Sequence, residues 1–237
     1  MAEGGAAVRR RTWLCWSSGK DSAWSLRALR AAGAWEVTAL LTTVNAVHGR
    51  VAMHATRRAL LRRQGEAAGL PVVEVPIPSP CSNEEYEAAM GRALDRARAE
   101  GVRCMAFGDL FLEDVRAYRE RMLAPTGIEP VFPLWGLETG ALARAMVAGG
   151  LEARVTCVDP RQLDPAFAGR AFDAAFLDEL PAGVDPCGER GEFHTFAHAG
   201  PMFGAPIAIR VGEVVLRDGF VFADLVPEPG DAPCSSP

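Results

Sequence analysis

The chain has 237 residues, 49% apolar and 23% charged, with 25 Lys plus Arg against 30 Asp plus Glu for a formal net charge of -5. That length buries a sizeable core and fits one large α/β domain, or one with a modest C-terminal addition, and the composition excludes a disordered or fibrous chain. The acidic balance excludes a bulk electrostatic pull toward nucleic acid or anionic membrane.

No apolar run is long enough to span a bilayer, and residues 1–11 carry Val8-Arg9-Arg10-Arg11 without a following stretch of signal-peptide length. Six cysteines (Cys15, Cys81, Cys104, Cys157, Cys187, Cys234) include no C-x-x-C pair, so zinc-ribbon and redox spacings are missing. Cys15, Cys104 and Cys157 sit in apolar runs, where a reduced thiol packs as a small hydrophobe, and a reducing cytoplasm is the expected location.

Residues 12–16 form a short apolar run ending at a Ser-Ser-Gly turn, and residues 23–32 follow as a helix with Trp24, Leu26 and Leu29 inward. Residues 36–43 read as the second strand, 56–68 as a helix and 70–75 as a third strand bounded by Pro71 and Pro76. Arg57, Arg58, Arg62 and Arg63 lie over two turns of that helix, a pattern more typical of a solvated face than of a basic binding patch. Residues 83–100 give the clearest helix, opened by Ser82 or Asn83 with Glu84 and Glu85, and residues 102–107 the fourth strand.

A charged helix is expected over 112–123, another over 139–148 and a strand over 151–158. Residues 159–204, rich in Gly, Pro and charge, are expected to hold one helix near 170–180. Short antiparallel strands over 206–210, 213–217 and 220–225 are expected to meet at tight turns at Val211-Gly212 and Asp218-Gly219. The fold class is therefore α/β, a Rossmann-like, mainly parallel sheet with helices on both faces, plus a smaller C-terminal α+β region. The expected division is 12–130 for nucleotide binding and 131–226 for the C-terminal region, with 1–11 and 227–237 as flexible ends.

The first strand leads into Ser17-Ser18-Gly19-Lys20-Asp21-Ser22. Polyphosphate binding needs backbone amides that approach the anion closely, a helix N-terminus and small hydroxyl donors. Gly19 permits the approach, Ser17, Ser18 and Ser22 offer hydroxyls, and Lys20 offers charge. Asp21 repels phosphate unless it caps the helix or helps hold Mg²⁺. A Walker A loop would need glycine at Leu14 and Ser or Thr at Asp21, and no G-x-G-x-x-G is present. A Ser/Gly turn that binds nothing is the plain alternative.

The run S-S-G-K-D-S resembles the S-G-G-x-D-S motif of the PP-loop ATP pyrophosphatases, whose fold is of the HUP type. Gly108-Asp109-Leu110, Pro133-Leu134-Trp135-Gly136, the segment from Asp185 to Thr195 (DPCGERGEFHT) and Gly200-Pro201-Met202-Phe203 extend the resemblance, in order along the chain, to the diphthine-ammonia ligase family. The matching segments run from Thr12 to about Leu225.

The resemblance implies cleavage of ATP to AMP and pyrophosphate to activate a carboxylate or amide acceptor, with Mg²⁺ on the phosphates and ammonia forming an amide. It implies nucleotide contacts from Ser17 to Ser22, Gly108 and Asp109, and acceptor chemistry from Glu189, Glu192 and His194 alongside Lys20 and Asp21. Thr43, closing the second strand, and His54, just beyond it, fall at the expected ligand edge and join the nucleotide candidates. Glu189 and Glu192 as loop braces, Pro-Leu-Trp-Gly as an apolar turn, and Cys187 as a structural thiol are the corresponding plain readings.

Two departures mark a divergent member. Ser18 stands where the family usually has glycine, and Gly-Glu-Phe-His-Thr (residues 191–195) stands where the archaeal and eukaryotic ligases have Gly-Glu-Tyr-Glu-Thr. A tRNA-modifying PP-loop enzyme and an ATP-sensing module without turnover are the alternatives. The acidic balance weighs against the first, the polar C-terminal motif against the second. The acceptor, and whether the chain forms a homodimer through its C-terminal strands, are left open.

Overall fold

The computed structural model describes residues 8–46, 50–51 and 56–228. Among them, five parallel strands form the first sheet: β1 (Arg10–Cys15), β2 (Trp35–Asn45), β4 (Val72–Ile77), β5 (Cys104–Ala106) and β6 (Glu129–Val131). The two-residue β3 (Arg50–Val51) runs antiparallel against the end of β2. The parallel strands lie side by side in the order β4-β2-β1-β5-β6. The chain therefore winds outward from β1 through β2 to β4, then returns past β1 to β5 and β6. Order reverses between β1 and β5, and the crevice beyond the carboxyl ends of those two strands is where open α/β sheets bind ligands.

Alternation along β1 builds a core on each face. Leu14 and Trp16 join α1 (Lys20–Ala32) and α2 (Arg58–Ala68) on one side. Trp13 joins α3 (Asn83–Ala99) and the end of α4 (Glu113–Leu123) on the other. The α3 entry is a full capping box, with Ser82 Oγ accepting from Glu85 N and Glu85 returning a carboxylate to Ser82 N. The four arginines near α2 do not make a free basic patch. Arg57 pairs with Asp224, Arg58 and Arg62 pair with Glu74, and Arg63 donates to the Glu228 carbonyl.

The second sheet is antiparallel, in the order β8 (Phe193–Ala199), β7 (Glu152–Val158), β10 (Phe220–Pro227), β9 (Ile209–Arg217). Phe172, Phe176, Phe193 and Ala197 share one buried cluster with Leu14, Trp16 and Leu26, so β8 and the loops before it pack directly on the α1 side of the first sheet. The helix α5 (Thr139–Ala148) packs against the short α6 (Ala174–Glu179), the latter capped by Asp173 accepting from Phe176 N.

Three elements differ from the sequence reading. The strand β6 is only three residues and carries Pro130, too short and irregular to show alternation. The strand β8 lies inside the Gly/Pro-rich stretch expected to hold one helix. At Val211-Gly212 the chain does not turn, because Gly212 sits opposite the register shift of β10, where a Cβ would meet the Asp224 carbonyl at 3.2 Å. Glycine there permits a bulge within one long strand. The turn at Asp218-Gly219 is present, both residues having positive φ (52° and 81°), as a two-residue hairpin of the primed type requires. No disulfide joins the described cysteines, and no described helix is long and apolar enough to cross a membrane.

Candidate active site

The loop after β1 is held in place by partners far away in sequence. Ser18 holds φ 74° and is fully buried. Its carbonyl accepts from Gln64 Nε2 at 3.0 Å and from Ala197 N at 2.9 Å. Gln64 also accepts from the Trp16 indole at 2.8 Å and donates to the Ala197 carbonyl at 2.7 Å, so one buried amide ties the loop, α2 and β8 together. Gly19 is the extended N-cap of α1, and its amide donates to Ser17 Oγ. The Lys20 amide donates to Thr195 Oγ1 at 3.1 Å, while Ser22 Oγ donates to the Gly19 carbonyl and lies 3.3 Å from Ser17 Oγ. The amides of Asp21 and Ser22 lie in the first turn, where a helix provides no acceptor of its own.

Gly108, at the carboxyl end of β5, closes the other side of the crevice. A Cβ there would lie 3.1 Å from the Ser22 nitrogen, so only glycine lets this loop approach the start of α1. The Pro-Leu-Trp-Gly segment backs the same loop. Gly136 N donates to the Leu110 carbonyl at 2.8 Å, and Phe132 packs between Phe107 and Trp135.

Across the cleft, residues 185–195 form a braced loop feeding β8. Asp185 accepts from Thr139 Oγ1 and Cys187 N, both at 2.8 Å. Glu192 accepts from the Asp185 and Arg190 amides. Glu189 accepts from Leu110 N at 2.7 Å, clamping this loop to the one after β5. Lys20 joins the two halves: its Nζ lies 2.9 Å from Asp21 Oδ2, donates to the Cys187 carbonyl, and faces the rings of Phe172 and Phe193 at 5.5 and 5.3 Å.

The resulting cleft of about 550 Å³ brings together Ser17, Lys20, Asp21, Ser22, Thr43, Gly108, Asp109, Glu189 and His194. Three residues named from sequence fall outside its lining. Ser18 is fully buried, Gly19 serves as the helix cap, and Glu192 is 1% exposed and engaged by loop amides. His54 lies outside the described residues. Arg119 and Tyr86 line the cleft without having been singled out, Thr195 lines it as the last residue of the 185–195 segment, and Gln64 shapes it from behind. A polar residue on an arginine-rich helix gives no local sign of such a role.

Electrostatics separate the groups. Burial pulls the Lys20 ammonium down, but Asp21, Cys187 and Glu189 together outweigh it and the net shift is upward, so Lys20 stays cationic. Burial raises Asp21 and Asp109 against the pull of Lys20 and Arg119 respectively. Burial, with the nearby Asp21 and Asp109 charges, lifts Glu189 to about 7 despite its bond from the Leu110 amide. Burial and the Lys20 charge depress His194 to about 4, leaving a neutral imidazole at pH 7.

Burial pushes the Cys187 thiol up, and its Sγ donates weakly to the Thr139 carbonyl, the situation of an inert structural thiol. No group of three metal-ligating side chains occurs among the described residues. Asp21 Oδ1 nevertheless has no hydrogen-bond partner, and as a hard oxygen it could supply one ligand to a cation held mainly by phosphate and water.

The diphthamide synthase N-terminal domain family matches residues 10–130, and the diphthamide synthase C-terminal domain family matches residues 138–222. The diphthine–ammonia ligase of Homo sapiens is 28% identical over 148 residues, 60% of this chain and 55% of the human protein. That of Bos taurus is 26% identical over 181 residues, 74% of this chain and 68% of the bovine protein. The chain thus spans little more than half of the human relative. Both domain families are matched in the order in which the fold places the loop after β1 and the loop before β8 on one cleft, and the chain belongs to the diphthamide synthase family.

Proposed function

We propose that the chain is an ATP-dependent, AMP-forming ligase that activates a carboxylate acceptor and passes it to ammonia. The names of its relatives, diphthine–ammonia ligases, supply the reaction class. The observation that carries the reading is the meeting of the β1 loop and residues 185–195 across a single cleft, joined through Lys20. Residues 12–130 then hold the nucleotide, and 131–226 shape the acceptor side.

In this reading the Ser17 and Ser22 hydroxyls and the Asp21 and Ser22 amides hold the departing pyrophosphate, and Lys20 contributes fixed positive charge where negative charge develops. Mg²⁺, held by Asp21 Oδ1, would neutralise phosphate oxygens. An acceptor carboxylate oxygen attacks the α-phosphorus and the α–β bridging oxygen leaves with pyrophosphate. Ammonia then attacks the acyl carbon, AMP leaves, and the nitrogen sheds a proton. Glu189, near 7, is matched to take that proton at neutral pH. His194, uncharged, offers a hydrogen bond where the archaeal and eukaryotic ligases carry a carboxylate, which favours an acceptor different in charge from diphthine.

The test is nucleotide chromatography after incubation with ATP, Mg²⁺, ammonium and a panel of carboxylates. The expected products are AMP and pyrophosphate, formed only with an acceptor. ADP and phosphate as sole products would overturn the reading.

A further inference from the structure

The second sheet ends at β9 on an open edge. Among the described residues β9 pairs with β10 on one side only, so its other side presents backbone N–H and C=O groups without a ladder. Two apolar side chains stand out on this strand, Val214 at 50% and Leu216 at 72% exposed. They lie opposite Ala223 and Val221, which are buried, and so continue the covered face of β10 outward past its last neighbour.

The ladder decides which groups point outward. A two-residue turn closes on a hydrogen-bonded pair, here Arg217 with Phe220, so alternation aims the backbone of Arg217 and Val215 at β10 and that of Leu216 and Val214 away from it. Two copies of β9 laid antiparallel about a two-fold axis at Val215 match these outward groups. Val214 of one copy faces the partner's Leu216, and the pair recurs by symmetry.

The same register sets Glu213 opposite the partner's Arg217, also twice. Within one chain these two residues cannot meet, because positions four apart on a strand are separated by about 13 Å. Among the described residues Glu213 makes no ion pair, and Arg217 reaches only the exposed Asp218 at 3.9 Å while lying over the Phe222 ring. Moving the axis to Val214 or Leu216 would set Arg217 against Val211 or Val215 instead. Charges on an edge strand ordinarily deter pairing. Here one register makes them complementary.

We propose that β9 is a self-association surface, on which a second copy of this chain pairs antiparallel about Val215 and joins the two C-terminal sheets into one. The bulge at Gly212 and the turn at Asp218-Gly219 limit the pairing to residues 213–217.

The test is sedimentation velocity of the full chain from about 1 to 100 μM, with folding checked by circular dichroism. A monomer–dimer equilibrium is expected. Glu213→Arg and Arg217→Glu should each weaken it by about 10-fold or more, since each sets like charges opposite one another. The double variant should return to within about 3-fold of wild type, a rescue that a merely structural role would not give. Val214→Pro removes an N–H that the partner uses and β10 does not, and should abolish the dimer.

A chain that stays monomeric throughout, or a dimer that none of these variants weakens, would overturn the proposal. So would a double charge reversal as weak as its single variants. Dimers that form only after residues 229–237 are removed would assign the edge to the chain's own C-terminal segment and overturn it as well. Should Val214→Pro fail to fold, the charge-reversal pair decides the matter.

Discussion

The loop after β1 and the loop before β8 contribute to the same cleft, yet their courses are set in different ways. Residues 17–22 take their course from the strand that ends at Cys15, the extended Gly19 cap and the helix that starts at Lys20, and distant Gln64, Thr195 and Ala197 hold it there. Residues 185–195 are placed by partners 46 to 167 positions away, Thr139 for Asp185, Leu110 for Glu189 and Lys20 for the Cys187 carbonyl. A locally built loop can be recognised from its own residues. One built from distant contacts shows its purpose only when those contacts are in place.

The largest expected effect comes from the residue that serves both regions. Lys20→Ala strands the Asp21 carboxylate and frees the Cys187 carbonyl, so a loss of about 3–5 kcal/mol is expected together with loss of turnover. Urea unfolding checks the first and AMP release the second. A variant of unchanged midpoint would show that the two loops are not coupled through Lys20. Gln64→Leu removes three buried hydrogen bonds and leaves the Ser18 and Ala197 carbonyls and the Trp16 indole short of partners. The expected cost is about 2–4 kcal/mol, with activity falling although Gln64 never touches the cleft.

Effects confined to one region should follow in order. Ser22→Ala is expected to lower AMP formation by about 10- to 100-fold with little change in melting temperature, by removal of a hydroxyl facing the leaving group. Wild-type turnover would remove the loop from the mechanism. Glu189 works in its unprotonated form in this scheme, so the rate should climb with pH through about 7, and Glu189→Gln should flatten that limb.

His194 gives an independent pH signature. Its folded-state value, about 4, lies below the ordinary imidazole value of 6.5, so the unfolded chain binds more protons between those values. The stability it contributes is present above about 6.5 and is lost as pH falls through 4, and His194→Gln should soften the acid decline of the melting temperature. The smallest effect is a gain. Ser18 pays for a left-handed backbone at φ 74°, and Ser18→Gly is expected to stabilise by about 1 kcal/mol in urea titration.

The same contrast explains what the sequence revealed. The doubly wound sheet was legible because β1, β2, β4 and β5 each carry an apolar run followed by a helix with its own period. The strand β8 was not, because Phe193 to Ala199 is flanked by Gly188, Gly191 and Gly200, and its pairing with β7 rather than its composition makes it a strand. Ser17, Ser22, Asp109 and Glu189 could be named from motifs. Glu192 could be named but not placed, since only the folded loop shows its carboxylate spent on amides at Asp185 and Arg190. Gln64 and Arg119 carry no motif at all and acquire meaning from the atoms they face.

The central claim is that the loop after β1 holds the pyrophosphate end of ATP while residues 185–195 face the phosphorus that is attacked. A crystal structure with a non-hydrolysable ATP analogue and Mg²⁺ tests it most directly. The account predicts the β- and γ-phosphates on Ser17, Ser22 and the first amides of α1, with the α-phosphate turned toward Glu189 and His194. A triphosphate bound in the reverse sense, its γ-phosphate toward Glu189 and His194, would contradict it.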